Sequence, residues 1–376
     1  MNEIKVLQVI GGLNRGGAET MLMNIYRIID KKYKFIFLTY TKDNKIGDYE
    51  QEILNNGDQI IKLNLKRVHN PITFFMDLKK IIKKEKFDCI HCHTLFNSGI
   101  VMLVAKMNHI PVRIVHSHSS GIMKENNVVN KLYFGISRFL INKCCTIRLA
   151  CNRISGTYLY GKNQRFIILK NGIDLNKFSP FTKPAYLIDE HLENRQALKI
   201  AAISSFYEVK NHTFMIKIAK CLKEMNIEFT LFFVGRGPLE EKIHNQVEEY
   251  GVQDKVLFLG VLENVHEFLP ALDLILMPSL YEGIPVSLIE AQASGVPAII
   301  SNRIAKDVDL GLGLIKFLEI ECEPEKWAKE IVDFHVEKLR AEEIQRKVQM
   351  CGYDVRDNVS MLSSLYEGKN FEERDF

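Results

Sequence analysis

The 376-residue chain reads as an α/β protein built from two Rossmann-like domains, each a doubly wound parallel sheet. Three observations carry that expectation. Short β-rich runs alternate with longer amphipathic stretches, the pattern of βαβ units. The runs number thirteen, more than one doubly wound sheet accommodates. A polar stretch, Ser179 to Gln196, follows the turn signal Asn171-Gly172 and divides the chain near its middle. The expected domains are therefore residues 1–180 and 181–354, followed by a helical tail from Val355 to Phe371.

In order, the first domain's strands are predicted at Lys5–Ile10, Lys34–Tyr40, Ile60–Leu63, Phe87–Cys92, Val112–Ser117, Thr146–Cys151 and Phe166–Leu169. Those of the second are Lys199–Ile203, Phe229–Val234, Lys255–Leu259, Leu272–Met277, Pro297–Ser301 and Leu314–Phe317. Between them, Asp77 to Lys86 carries Leu78, Ile81 and Ile82 at helical spacing among lysines, a surface helix with one apolar stripe. Lys131 to Cys145 is a second amphipathic stretch, with Leu132, Phe134, Ile136, Phe139, Leu140 and Ile141. Either could also lie against an anionic bilayer. Val286 to Ser294 reads as a short helix, with Pro285 suited to its first turn and Gly295 to its exit.

Bulk properties narrow the function. Apolar content of 47% is ordinary for a globular protein, and no apolar run approaches the ~20 residues of a bilayer span. The run Ile4 to Ile10 ends in glycines without a basic lead or cleavage site, so a signal peptide is not expected. Eight cysteines then point to reduced thiols in a cytoplasmic protein. The net charge of +4 hides an asymmetry: residues 1–180 hold 28 Lys and Arg against 13 Asp and Glu, leaving 22 against 33 in 181–376. A basic first half suits an anionic membrane face or a phosphate-bearing lipid. Nucleic acid ranks lower, because the basic residues are dispersed and no nucleic-acid-binding signature is present.

The most informative stretch is Tyr281-Glu282-Gly283-Ile284-Pro285-Val286-Ser287-Leu288-Ile289-Glu290, a loop and helix start directly after an apolar strand. Backbone N–H groups at a helix start, here Val286 to Leu288, form an anion site suited to phosphate. Glu282 precedes the helix and Glu290 lies one to two turns inside it, so both carboxylates can flank a ligand at its mouth. Phosphate on amides with hydroxyls on carboxylates describes a sugar nucleotide. Upstream, Gly11-Gly12-Leu13-Asn14-Arg15-Gly16-Gly17 joins a strand to a helix, letting backbone approach a ligand closely. Its spacing departs from the G-x-G-x-x-G fingerprint, which argues against a dehydrogenase.

On these motifs the chain resembles the retaining family 4 glycosyltransferases, whose signature is a Glu-x7-Glu element in the second half of a GT-B fold. The resemblance runs from the glycine loop through Glu290. It implies two domains facing a central cleft, with the tail crossing back onto the first. It also implies a nucleotide-sugar donor, UDP-linked in our expectation, and a saccharide or polyprenyl-linked acceptor in surface polysaccharide biosynthesis. No cofactor or metal ion is expected, and no Asp-x-Asp element suggests one. By resemblance Glu282 contacts the donor sugar and Glu290 the ribose, flanking Gly283, Ile284, Pro285, Val286, Ser287 and Leu288. Gly16 and Gly17 face the cleft from the acceptor side. His116, ending the strand Val112–Ser117, contacts the sugar and is preferred over His118 because it directly follows the apolar run. Lys210 neutralises the diphosphate. Gly235, Arg236 and Val261 line the nucleotide pocket. Where the family has Gly-Arg, this chain has Ser204-Ser205, leaving Arg236 or Arg15 as the second cation. Two rival functions are a sugar-nucleotide epimerase and a catalytically weak nucleotide-sugar-binding subunit.

Cys89-Ile90-His91-Cys92-His93 matches a haem-attachment string. A strand-like setting argues against that, since alternation is expected to put the cysteines and His91 on different faces. His93 is a candidate cleft residue. The expected location is the cytoplasm or the inner face of the cell membrane.

Overall fold

The computed structural model describes residues 3–42, 46–119, 128–182 and 197–369. Most of the predicted seam, 183–196, lies outside them, as does the end of the tail from 370. The described chain forms two compact units, Met1–Gly172 with Asp354–Phe376, and Ile173–Tyr353.

The first unit holds β1 (Ile4–Val9), β2 (Tyr33–Thr41), β3 (Gln59–Asn64), β4 (Cys89–Cys92), β5 (Val112–Ser117), β6 (Ile147–Ala150) and β7 (Ile167–Ile168). All pair in parallel, in the order β3-β2-β1-β4-β5-β6-β7. The second holds β8 (Leu198–Ile203), β9 (Phe229–Val234), β10 (Val256–Gly260), β11 (Leu274–Met277), β12 (Ala298–Ser301) and β13 (Ile315–Leu318), in the parallel order β10-β9-β8-β11-β12-β13. Every predicted run is a strand, and the expected pair of Rossmann-like sheets is what forms. The runs were legible because strands buried on both faces are continuously apolar; Leu274, Ile275, Leu276 and Met277 are all at most 3% exposed.

Each sheet reverses its winding direction once: between β1 and β4 in the first unit, and between β8 and β11 in the second. At such a switch point the neighbouring loops leave toward opposite faces and open a crevice at the carboxyl ends of the strands. The candidate residues gather at these two places.

The helix Pro71–Lys84 starts earlier than its apolar stripe indicated. The Asn70 side chain accepts from the N–H groups of Ile72 and Thr73, with Pro71 at the first helical position. Pro285 lies just outside the helix Val286–Ala293 rather than in its first turn, because its ψ of 124° is extended. The helix Val355–Tyr366 packs on the helix Gly17–Ile28 and buries Val355, Leu362, Leu365 and Tyr366 in the first unit's core. No helix among the described residues is long and apolar enough to cross a membrane.

Candidate functional site

In the second unit, three loops at the carboxyl ends of β8, β9 and β10 are laced by backbone. Ser204 N–H donates to the Val234 carbonyl (3.0 Å), Phe206 N–H to the Arg236 carbonyl (3.0 Å), and Gly235 N–H to the Gly260 carbonyl (2.7 Å). Gly235 has φ +140°, and a Cβ there would stand 2.1 Å from the Ser204 carbonyl oxygen. Only glycine lets the two loops meet so closely. Ser205 and Arg236 are exposed on this surface, and Val261 is half-buried beside it.

Two further bonds cross the switch point. Leu280 N–H donates to the Val209 carbonyl (2.8 Å), and the side chain of Asn211, itself at φ 59°, donates to the Pro278 carbonyl (3.1 Å). The loop after β8 is thereby fastened to the loop after β11, and Lys210 is brought onto Glu282. Lys210 Nζ donates to Glu282 Oε1 in an ion pair whose side chains are each 17% exposed. Glu282 is held from behind by a parallel bridge to Ile304. Behind Lys210, burial and then the lysine charge push the His212 imidazole down to about 4, so it is neutral. Its Nε2 lies 3.3 Å from Ser204 Oγ.

Among the described residues no side chain caps the helix Val286–Ala293, while Leu288 N–H donates to the Pro285 carbonyl (3.1 Å). Gly283, Ile284, Pro285, Val286 and Ser287 are half-buried, and Leu288 is in the core. Glu290 projects from this helix with part of its side chain accessible. Its carboxylate has no hydrogen-bond or ion-pair partner among the described residues. Burial alone pushes it up to about 7. A nearly enclosed acid with no neighbour to stabilise its charge is a marker of a binding or catalytic role.

In the first unit, Gly16 precedes the helix Gly17–Ile28 with no side-chain cap of its own. The Glu19 carboxylate folds back over it, so that a Cβ on Gly16 would meet Glu19 Oε2 at 2.4 Å. Burial raises the Glu19 carboxyl, and a bond from its own backbone N–H opposes the rise. The carboxyl group at this helix mouth is thus the chain's own.

The carboxyl ends of β4 and β5 carry four histidines. His91 and His116 are fully buried, His93 is 7% exposed, and His118 keeps partial access. The rings of His91 and His116 stack at 5.6 Å with 7° between planes, and those of His116 and His118 lie 4.0 Å apart. Burial first, and then the neighbouring imidazoles, holds His91, His93 and His116 well below the usual histidine range. Burial brings His118 to about 4. All four are neutral near pH 7. Among the described residues neither ring nitrogen of His116 makes a hydrogen bond of good geometry, although the Leu169 backbone lies near enough to oppose the fall in its pKa. Each unpaired buried polar atom costs about 1–3 kcal/mol, so two of them on one ring call for an account beyond packing.

His91, His93 and His116 also place ligand atoms within 4.8 Å of one another, a donor set of the kind that binds divalent metals. Both nitrogens of His93 are already engaged, however, with His118 and Gln8. A metal would have to displace one of those bonds. Strand alternation puts Cys89 on the face of His91 and Cys92 on the opposite one, so the two cysteines and His91 do not share a face. Both sulfurs are fully buried, which leaves the haem-attachment reading without an accessible thiol.

Sequence reasoning did not single out Gln8, Asn211 or Tyr366. A usable signal existed for the histidines: Cys89-x-His91-x-His93 and His116-x-His118 end adjacent parallel strands in matching register, His91 opposite Ile114. Nothing local marked Tyr366.

Comparison with known proteins adds a separate line. The family described as "Glycosyltransferase Family 4" matches residues 15–177, and that described as "Glycosyl transferases group 1" matches residues 187–347. EpsF of Bacillus subtilis (strain 168) is 39% identical over 373 residues, spanning 96% of each chain. The capsular polysaccharide biosynthesis glycosyltransferase CapH of Staphylococcus aureus is 25% identical over 338 residues, 87% of this chain and 90% of that one. Among solved structures, Anabaena Alr3699/HepE in complex with UDP and glucose superposes with a TM-score of 0.74 at 16% identity, covering 97% of this chain and 100% of that one. At that identity the likeness speaks for the fold.

Proposed function

Because the chain belongs to the family 4, group 1 glycosyltransferases, we propose that it moves a sugar from a UDP-sugar to a hydroxyl of a saccharide acceptor, carried on a polyprenyl lipid, in surface polysaccharide biosynthesis. The observation that carries this reading is the second unit's switch point, where an ammonium pairs with a carboxylate four residues before an uncapped helix and an orphan carboxylate lies within that helix. Lys210 and the amides at Val286 to Leu288 hold the diphosphate. Glu290 takes the ribose hydroxyls, and Gly235, Arg236 and Val261 line the nucleotide. Glu282 and His116 hold the sugar.

In the donor-free chain the Lys210–Glu282 pair holds both side chains in place. When diphosphate arrives it competes for the ammonium, and Glu282 is released toward sugar hydroxyls. As the glycosidic bond breaks, charge grows on the departing diphosphate beside the Lys210 ammonium, an interaction stronger in the transition state than before it. The diphosphate itself accepts the acceptor's proton on the same face, so the anomeric configuration is retained. No step calls on a metal ion.

The test is a reaction of the purified protein with a panel of UDP-sugars and a polyprenyl-diphosphate saccharide, following UDP release and the anomeric proton of the product. A product of retained configuration, formed at an unchanged rate in chelator, is the expected result. Strict dependence on manganese, inversion, or an altered UDP-sugar formed without acceptor would each overturn the reading.

A lipid-linked acceptor calls for a membrane face. The helix Val128–Cys144 leaves Val128, Leu132, Ile136 and Phe139 between 51% and 79% exposed along one side, with Lys131 and Lys143 exposed on the same helix. An apolar stripe flanked by lysines suits an anionic bilayer surface. Ile136→Glu with Phe139→Glu should reduce co-flotation with anionic vesicles by tenfold or more, while soluble-acceptor turnover is retained. Equal flotation of the variant would remove this helix from the proposal.

A further inference from the structure

The histidine cluster of the first unit is wired to the end of the chain by buried hydrogen bonds. Gln8, on β1, donates from Nε2 to the Tyr366 hydroxyl (3.0 Å), and its Oε1 lies 3.1 Å from His93 Nε2. A carboxamide oxygen can only accept, so His93 carries its proton on Nε2. His93 Nδ1 must then accept, and His118 Nε2 is the donor 2.8 Å away. The Tyr366 hydroxyl accepts from Gln8, and among the described residues the only acceptor for its single proton is His91 Nδ1 at 2.9 Å. His91 is thereby the Nε2–H form. Three of the four imidazoles are fixed in one tautomer, and the fourth, His116, stands in their midst with neither nitrogen hydrogen-bonded among the described residues.

We propose that Tyr366 is a positioning residue: its hydroxyl holds the histidines around His116 in one proton arrangement, directly through His91 and indirectly through Gln8 and His93. The consequence is local and specific. Among the described residues His116 makes no hydrogen bond that it would have to exchange for a sugar hydroxyl, and of the nitrogens around it His91 Nε2 is likewise unpartnered. This rests on the reading that His116 meets the transferred sugar. The Tyr366 ring has a separate task, packing edge-on to Phe35 and tilted on Tyr33, which a phenylalanine would preserve.

The experiment compares Tyr366→Phe with Tyr33→Phe. The Tyr33 hydroxyl bonds to Glu367 and to the Ser363 carbonyl, so its loss loosens the same helix without touching a histidine. Imidazole ¹⁵N spectra of the donor-free protein report tautomers directly. In Tyr366→Phe, His91 should change from a single Nε2–H form to a mixture, and kcat should fall about tenfold with donor KM nearly unchanged, as loss of one hydrogen bond predicts. Tyr33→Phe should change neither. An unaltered His91 spectrum in Tyr366→Phe, a changed spectrum with unaltered kcat, or the same losses in Tyr33→Phe would each overturn the proposal. A wild-type chain that transfers no sugar would sink the glycosyl-transfer reading instead, and the His91 spectrum would still decide the proton arrangement.

Discussion

Lys210→Ala is expected to lower kcat for sugar transfer by roughly 10²–10³-fold, the loss seen when one preorganised donor to a developing anion is removed. UDP affinity should fall far less, because in the proposed site the helix-start amides and Glu290 still hold the nucleotide. The asymmetry follows from where the charge grows. In the bound donor the diphosphate charge is shared along a bridge, whereas in the transition state it gathers on the leaving oxygens near Nζ. The same variant leaves Glu282 without its cation in a site only 17% exposed, so a modest loss of stability should accompany it. Steady-state kinetics with a nucleotide titration separate the effects. Equal losses in kcat/KM and UDP affinity, with kcat intact, would show that Lys210 contributes only ground-state binding.

Glu290→Gln should move stability and binding in opposite directions. The Glu290 carboxyl ionises at about 7 in the folded chain against an ordinary 4.5. Between those values the folded form keeps a proton that the unfolded form has released, so this group's contribution to stability declines as pH rises. Glutamine removes the decline. The variant should be more stable at pH 8 by roughly 2–3 kcal/mol, with the gain shrinking toward pH 5. It should also bind UDP about tenfold more weakly at pH 8, having lost a charge-assisted bond to the ribose. Wild-type UDP affinity should rise from pH 6 to pH 8, and the variant's should not. Thermal melts and calorimetry across that range provide the check; a variant destabilised at every pH would mark Glu290 as a packing residue.

The two carboxylates were legible early because they sit in one continuous stretch, between an apolar strand and a helix whose boundaries local chemistry sets. The ion pair between Glu282 and a lysine 72 positions upstream was not. It depends on β8 lying beside β11, an adjacency decided by how βαβ units wind around the core. Likewise His116 was picked out by its place at a strand end, but its isolation depends on partners drawn from β1, β4 and the last helix. The Glu19 carboxylate at the first helix mouth is another such outcome. A glycine loop advertises room for an anion without saying whose anion fills it.

By itself, then, the order of residues determined thirteen strands, the helices between them and the loops that carry chemistry. Burial on both faces and the preferences of helix ends act over a few neighbours, and periodicity records them. The tertiary structure alone decided which loops meet. Hydrogen bonds such as Tyr366 to His91, 275 positions apart, form because sheet order and helix packing bring distant segments within reach. No local pattern encodes that proximity, since either residue would look the same with any other partner.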